Sequence, residues 1–445
     1  MKSTASLCSL VVFLLVCLGF RPFPLHGLQV GDGLNTGTQA TSSARDDKPA
    51  YSLPPETLAR AVAYSRIRVI LDFASSGWEI LQLLLLLQFG VIAWMGRVAL
   101  AAGRNRWVQG IVFALLLLTA TTLLDLPLGL YGHHVALAFG QSVQGWMSWM
   151  GDEAKGFLLT LLIGTPVVML LFWVVRRSPS RWWFWFWIPA MALVLLSVFV
   201  APVLIDPIFN HFEPLAKTNP ALVHRLGEVV NRGGVEIPAD RMYLMKASEK
   251  VTTLNAYVTG YGASKRVVVW DNSIAKATPD EISFIFGHEL GHYVLNHIPR
   301  TLLFLGVLLL IEFYLGYRGV RWLLRRFGSR WGVSRQDDLG ALGVFLLVLS
   351  VLSFISEPLV NGLSRMQEHE ADIYGQEVIH GIVANPQSVA QQSFQLLGEV
   401  SLTDPNPNAF VEFWSFEHPS VARRAAFAAK YNPWLQGGRP KFFNK

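Results

Sequence analysis

Six apolar runs, at about 77–101, 107–131, 156–175, 182–205, 301–320 and 340–360, decide most of what this chain can become. Each is long enough for a helix to cross the roughly 30 Å hydrocarbon core of a bilayer. The expected fold is therefore a mostly α integral membrane protein with a multi-helix transmembrane bundle. Composition agrees: 52% of the 445 residues are hydrophobic and 15% charged, and the mean hydropathy is +0.37, too apolar for an ordinary soluble enzyme. The formal net charge is +6. Many basic residues sit at the ends of apolar runs, where they act as topology anchors, so no nucleic-acid partner is expected. The stretch "RWWFWFW" at 181–187 opens one run beside arginines and reads as an interfacial aromatic belt rather than a ligand cage.

The N-terminus is ambiguous. Lys2 precedes an apolar run of about a dozen residues, as in a signal peptide, which is short for a span of roughly 20 residues. No small-x-small cleavage site follows. Residues 1–27 are thus a signal peptide or a first transmembrane helix. Cys8 and Cys17 both lie there, so neither a disulfide framework nor a cysteine-ligated zinc site can be built. Residues 28–52, rich in Gly, Ser, Thr and Asp, read as a flexible linker. An N-terminal membrane domain follows over 53–205.

From Asp206 the character changes. "PALVHRLGEVVNRGG" predicts an amphipathic helix ended by glycines. "RMYLMKAS", "LNAYVTG" and "KRVVVWD" predict short strands, the last two joined by "YGAS". A helix follows in "TPDEISFIFGHELGHYVLNH", with Thr278 as N-cap, Pro279 first and Glu281 completing the capping signal. The expected division is a segment 206–300, two transmembrane helices over 301–360, and a C-terminal segment 361–445. A small α+β unit is thus written in two pieces, and its site should draw on both.

His288 and His292 lie four apart on that helix, so their rings leave one face a turn apart. Both can reach one ion at about 2.0–2.1 Å, and Glu289 beside them can serve a water; this is the His-Glu-x-x-His spacing of zinc metallopeptidases. Gly291 costs about 1 kcal/mol inside a helix and points to a close approach by backbone or substrate. His297 reads as a solvated or capping residue near the helix end. A hydrolytic zinc wants a third protein ligand. "NGLSRMQEHEADIYG" at 361–375 offers Glu368, His369, Glu370 and Asp372. Glu368 and Asp372 share a helical face; one can ligate while the other holds an imidazole from behind. A merely charged helix face is the plain alternative.

Three stretches together, "GHELGHYVLNH", "NGLSRMQEHEAD" and "EHPSVARRAAF", resemble the type I CAAX prenyl proteases, multi-span gluzincin zinc endopeptidases. The likeness extends through 206–215 and 254–274, more weakly 53–73, and covers roughly 53–430. It implies one Zn2+ ion held by His288, His292 and Glu368, with Glu289 as general base and Asp372 supporting a ligand. It also implies His418 and Arg424 near the metal, where they can stabilise an oxyanion. Asn255, Ala256 and Tyr257 match the edge strand on which these enzymes align substrate by β-augmentation. The implied partners are the lipid bilayer and a peptide or protein, with or without a lipidated C-terminus. The family's hydrated chamber also makes Asp125, Glu312 and Glu357 candidate linings; an interfacial place is the alternative for each. The N-terminal run and the linker do not match the family, and nothing in the sequence shows a prenyl pocket.

The leading expectation is a membrane zinc metalloendopeptidase of the CAAX prenyl protease type, in the plasma membrane or a bacterial inner membrane. A broad-specificity protease for membrane-protein quality control is a second reading. A transporter or channel with a structural zinc site is a third, and it predicts four closed ligands where the sequence offers three. Charge suggests an orientation. One set of loops holds Arg97, Arg104 and Arg106, then Arg176, Arg177 and Arg181, then six arginines between Arg318 and Arg335. The short loop on the catalytic side, 132–155, holds Lys155 alone. Short basic loops stay cytoplasmic, so the catalytic pieces are expected to face away from the cytoplasm. Arg60, Arg66 and Arg68, and the cytosolic site implied by the resemblance, pull the other way.

Overall fold

The computed structural model describes residues 49–260 and 265–443. The segment 1–27 with its cysteines, nearly all of the 28–52 linker, and the turn "YGAS" lie outside the described residues.

Among those described, six helices are long and apolar enough to span: Pro55–Gln88, Arg106–Ala138, Trp146–Arg177, Trp182–Phe209, His297–Trp331 and Ala341–Val378. The chain opens with α1 (Pro55–Gln88), α2 (Val91–Ala101), α3 (Arg106–Ala138), α4 (Trp146–Arg177) and α5 (Trp182–Val200). The inner faces of the six spans meet around Phe113, Phe172, Val175, Phe186, Leu305 and Leu347. Their outer faces expose Leu123, Leu158, Leu162, Leu303 and Leu359. In water such an exterior would be one large apolar patch; against lipid it is the solvated surface.

The run 77–101 is not one span. It is divided at Gly90, whose φ of +69° turns the chain. The first span instead starts at Pro55 and includes Arg66, Arg68, Asp72 and Glu79. Two of its polar groups find partners in the bundle: Glu79 accepts from Ser350 at 2.8 Å, and Gln82 donates to Asp125 at 3.1 Å. Glu312 is likewise buried and accepts from Ser356 at 2.6 Å. Asp125 and Glu312 therefore belong to the bundle rather than its ends.

After the membrane helices come β1 (Phe212–Pro214), α6 (Pro220–Arg232), β2 (Met242–Met245), β3 (Ala256–Thr259) and β4 (Arg266–Trp270). The sheet order is β1-β2-β4-β3. β2 and β4 run parallel (Met242 opposite Val267), while β1 and β3 flank them antiparallel. Val267, Val268 and Val269 are buried, as a central strand requires. Then follow α7 (Pro279–Val294), α8 (His297–Trp331), α9 (Ala341–Val378), α10 (Pro386–Val400), α11 (Ala409–Ser415) and α12 (Val421–Lys430). α9 runs unbroken through the expected 360/361 boundary, so one helix carries both a span and Glu368.

The α+β unit sits at one end of the bundle. Tyr51 donates to the Thr403 carbonyl, Gln141 to that of Val400 and Thr252 to that of Gly140. At the other end, Gln336 donates to the Pro179 carbonyl and joins the 332–340 and 178–181 loops.

Candidate metal centre

The helix α7 begins where its sequence says. Thr278 accepts from the Glu281 N–H, and Glu281 reaches back to the Thr278 N–H at 2.7 Å, a complete capping box. Its apolar residues, among them Phe284, Phe286 and Leu290, are buried on every side. His288, Glu289 and His292 share that burial, at 1–2% exposure. Three ionisable groups there demand partners.

They come from α9. Glycines let the two helices meet: a methyl at Gly291 would touch Tyr374 at 3.1 Å and the Ala371 backbone at 3.3 Å, and one at Gly375 would lie 2.8 Å from the His288 nitrogen. The close approach expected of Gly291 is thus a helix-on-helix contact. It brings Glu368 against both imidazoles. His288 Nε2 lies 3.1 Å from His292 Nε2 and 3.2 Å from Glu368 Oε2. His292 Nε2 lies 3.3 Å from Glu368 Oε1. A tetrahedral ion with ligands at 2.0–2.1 Å has ligand–ligand edges of about 3.3–3.4 Å. The triangle of donors fits such an ion, and the donor set, two imidazoles and a carboxylate, suits zinc. Among the described residues this trio is the one group of donors gathered closely enough to hold a metal.

The remaining expected residues converge as well. His288 Nδ1 is 2.8 Å from Asp372 Oδ1. Arg424 grips Asp372 with both arms of its guanidinium, at 2.8 and 2.6 Å, and lies 3.4 Å from Glu368. His418 Nε2 is 3.3 Å from Glu368 Oε1. Glu289 Oε1 is 4.0 Å from His288 Nε2. Burial alone would lower the His288 pKa, but the Glu368 charge and the Asp372 hydrogen bond outweigh it and raise it to about 9 in the metal-free protein. Burial opposes the Arg424 charge too, yet Asp372 holds its pKa above the ordinary value.

Ala256 and Tyr257 open β3, the edge strand beside β4, and Asn255 immediately precedes it. The Asn255 backbone is committed: its N–H donates to Ser273 Oγ at 2.8 Å and its carbonyl accepts from Trp270 at 3.0 Å. His369 faces away, edge-on to Phe427 at 4.6 Å.

Some residues at the site carried no role in the sequence reading. His297 is not solvated; it is wholly buried, 3.0 Å from His292 and 3.0 Å from Glu370. Arg365 donates to the carbonyls of Glu412, Phe413 and Phe416, and Asn361 to that of Trp414. Buried Glu412 accepts from the Ser420 N–H and from Arg423. Together they fix the loop that delivers His418. A histidine five places beyond His292, in an apolar context, was the available signal for the first.

Two family models match the chain: "CAAX prenyl protease N-terminal, five membrane helices" over residues 40–211, and "Peptidase family M48" over 216–432. The "Uncharacterized metalloprotease YhfN" of Bacillus subtilis (strain 168) is 35% identical over 394 residues, 88% of this chain and 89% of that protein. The chain belongs to peptidase family M48. "CAAX prenyl protease 1" of Saccharomyces cerevisiae is 26% identical over 336 residues, 71% of each chain. The crystal structure of S. mikatae Ste24p shares the fold, with a TM-score of 0.74 at 23% identity, covering 85% of this chain and 90% of that one. This M48 peptidase is an integral multi-pass membrane protein and a metalloendopeptidase. The transporter reading gains nothing: three donors converge among the described residues, not four.

Proposed function

We propose that this M48 peptidase hydrolyses peptide bonds with a single zinc ion, held by His288, His292 and Glu368, and that its substrates are peptides or proteins with a lipidated C-terminus. The observation that carries the reading is the triangle of buried donors at 3.1–3.3 Å with Glu289 beside it. Bound there, the ion supplies Lewis acidity that polarises a scissile carbonyl and acidifies an attacking water.

The chain's own groups do the rest. Glu289 is the general base: it takes a proton from water and passes it to the leaving amine. Asp372, fixed by Arg424, accepts from His288 Nδ1–H and so leaves the Nε2 lone pair facing the donors. His418 sits where an imidazole N–H can donate to a developing oxyanion. Arg424 adds positive charge 3.4 Å from Glu368 while it anchors Asp372. Substrate lies along β3, the edge strand that Ala256 and Tyr257 open, with Asn255 immediately before it. The lipidated class rests on the relatives named CAAX prenyl protease.

The test is cleavage of a farnesylated C-terminal peptide beside its unprenylated control, each with and without a chelator. The reading expects cleavage that the chelator abolishes and the lipid enhances. Equal cleavage of both peptides removes the lipid requirement and favours broad specificity; cleavage that survives the chelator removes the metal mechanism.

A further inference from the structure

The two imidazoles are backed unequally. His288 leans directly on a carboxylate, Asp372, which is held by Arg424. Among the described residues no carboxylate lies against His292 Nδ1; its neighbour is the ring of His297, 3.0 Å away, nearly perpendicular with centroids 5.0 Å apart. His297 Nε2 in turn lies 3.0 Å from Glu370 Oε2, and that oxygen accepts from Arg300 at 2.9 Å. We infer that His297 is a positioning residue for His292, the middle link of a His292–His297–Glu370–Arg300 relay that orients one metal ligand. The inference rests on the reading of His292 as a ligand.

One arrangement of protons satisfies every link. A ligating His292 presents its Nε2 lone pair, so its proton is on Nδ1. That proton is donated to His297 Nδ1, which must therefore be the bare nitrogen. His297 then carries its own proton on Nε2 and donates it to Glu370. A doubly protonated His297 would set two N–H groups against each other across 3.0 Å. Arg300 completes the chain as Arg424 does on the other side: each imidazole ends on an acid–arginine pair, one directly and one through a second ring.

The backbone is bent to make this possible. α7 ends at Val294, and Asn296 takes φ +57° before α8 begins at His297. Asparagine tolerates that left-handed conformation better than most residues. The turn folds His297 back beneath His292. Gln367 reinforces it, donating to the His297 carbonyl at 3.5 Å while it accepts from Thr301 at 3.0 Å.

The experiment measures zinc affinity of the full chain in detergent, by competition with a chromophoric chelator, in four variants. His292→Ala tests the ligand itself. His297→Phe keeps the ring but removes the acceptor. His297→Asn places an amide oxygen near the lost Nδ1. His297→Gln, polar and unable to do so, replaces the Phe variant if that fails to fold. Loss of an orienting partner weakens metal affinity about 10–100-fold, so His297→Phe or His297→Gln should show that loss and His297→Asn should stay within about threefold of the parent. Parent-like affinity in His297→Phe or His297→Gln, or an Asn variant as weak as either, overturns the relay. Parent-like affinity in His292→Ala instead overturns the ligand reading beneath it.

Discussion

Placing a methyl group at Gly375 tests whether the metal site depends on how closely α7 and α9 approach. In Gly375→Ala the new Cβ would lie 2.8 Å from the His288 nitrogen and 3.0 Å from its Cα. Ordinary contact begins at 3.4 Å, so the nearest pair is about 0.6 Å too close. The obstacle is helix backbone, which cannot swing aside as a side-chain tip would. α9 must back away, and it carries Glu368 with it. Overpacking of this kind costs about 1–3 kcal/mol, while alanine in place of glycine returns about 1 kcal/mol of helix propensity. Global stability should therefore fall by only about 0–2 kcal/mol, a modest change in melting temperature. Zinc affinity is the sharper readout. A shift near 0.6 Å exceeds the ~0.5 Å tolerance of a preorganised site, so affinity should drop at least tenfold. Gly227→Ala is the control, because nothing lies within 4 Å of its added Cβ. Competition with a chelator, beside thermal melting in detergent, measures both. Parent-like zinc affinity in a folded Gly375→Ala would refute the argument that the glycine contact sets the ligand geometry.

Glu368→Ala should lose zinc more severely than any second-layer change, read by metal content after dialysis; unchanged content would move the third ligand elsewhere. In the metal-free protein His288 has a pKa raised to about 9 from 6.5, so its contribution to stability is fully present below pH 6.5 and is lost as pH rises through about 9. Zinc must displace that proton, so affinity should climb close to tenfold per pH unit up to about pH 9; calorimetry in buffers of different ionisation enthalpy should find a proton released, and a flat pH profile would contradict the shift. The arginine-rich end of the bundle should be cytoplasmic, and an alkaline phosphatase fusion after Lys445 should be active; activity only within the 326–338 loop would reverse the orientation.

What could be read from the sequence is what is encoded locally. The capping box at Thr278, the valine-rich strand at 266–270 and the four-residue spacing of His288 and His292 each act within a turn or two of chain, and all three stand in the structure. The start of the first span was hidden because Arg66, Arg68, Asp72 and Glu79 interrupt its hydropathy; bundle contacts that no window of sequence contains satisfy groups such as Glu79. The continuity of α9 was hidden for a related reason: its composition turns polar at Asn361 while its backbone stays helical. His297 looked like a helix-end residue because its burial depends on the Asn296 turn and on Glu370, 73 residues away. The roles of Arg365 and Glu412 in fixing the His418 loop are equally nonlocal.

The central claim, that a metal held by His288, His292 and Glu368 works with Glu289 as base, is met most directly by one variant. Glu289→Gln leaves all three donors in place and removes only the proton acceptor. The account predicts zinc content equal to the parent, with cleavage of the farnesylated peptide reduced by about 10²–10⁴-fold. Cleavage at the parental rate by a zinc-loaded Glu289→Gln enzyme would contradict it.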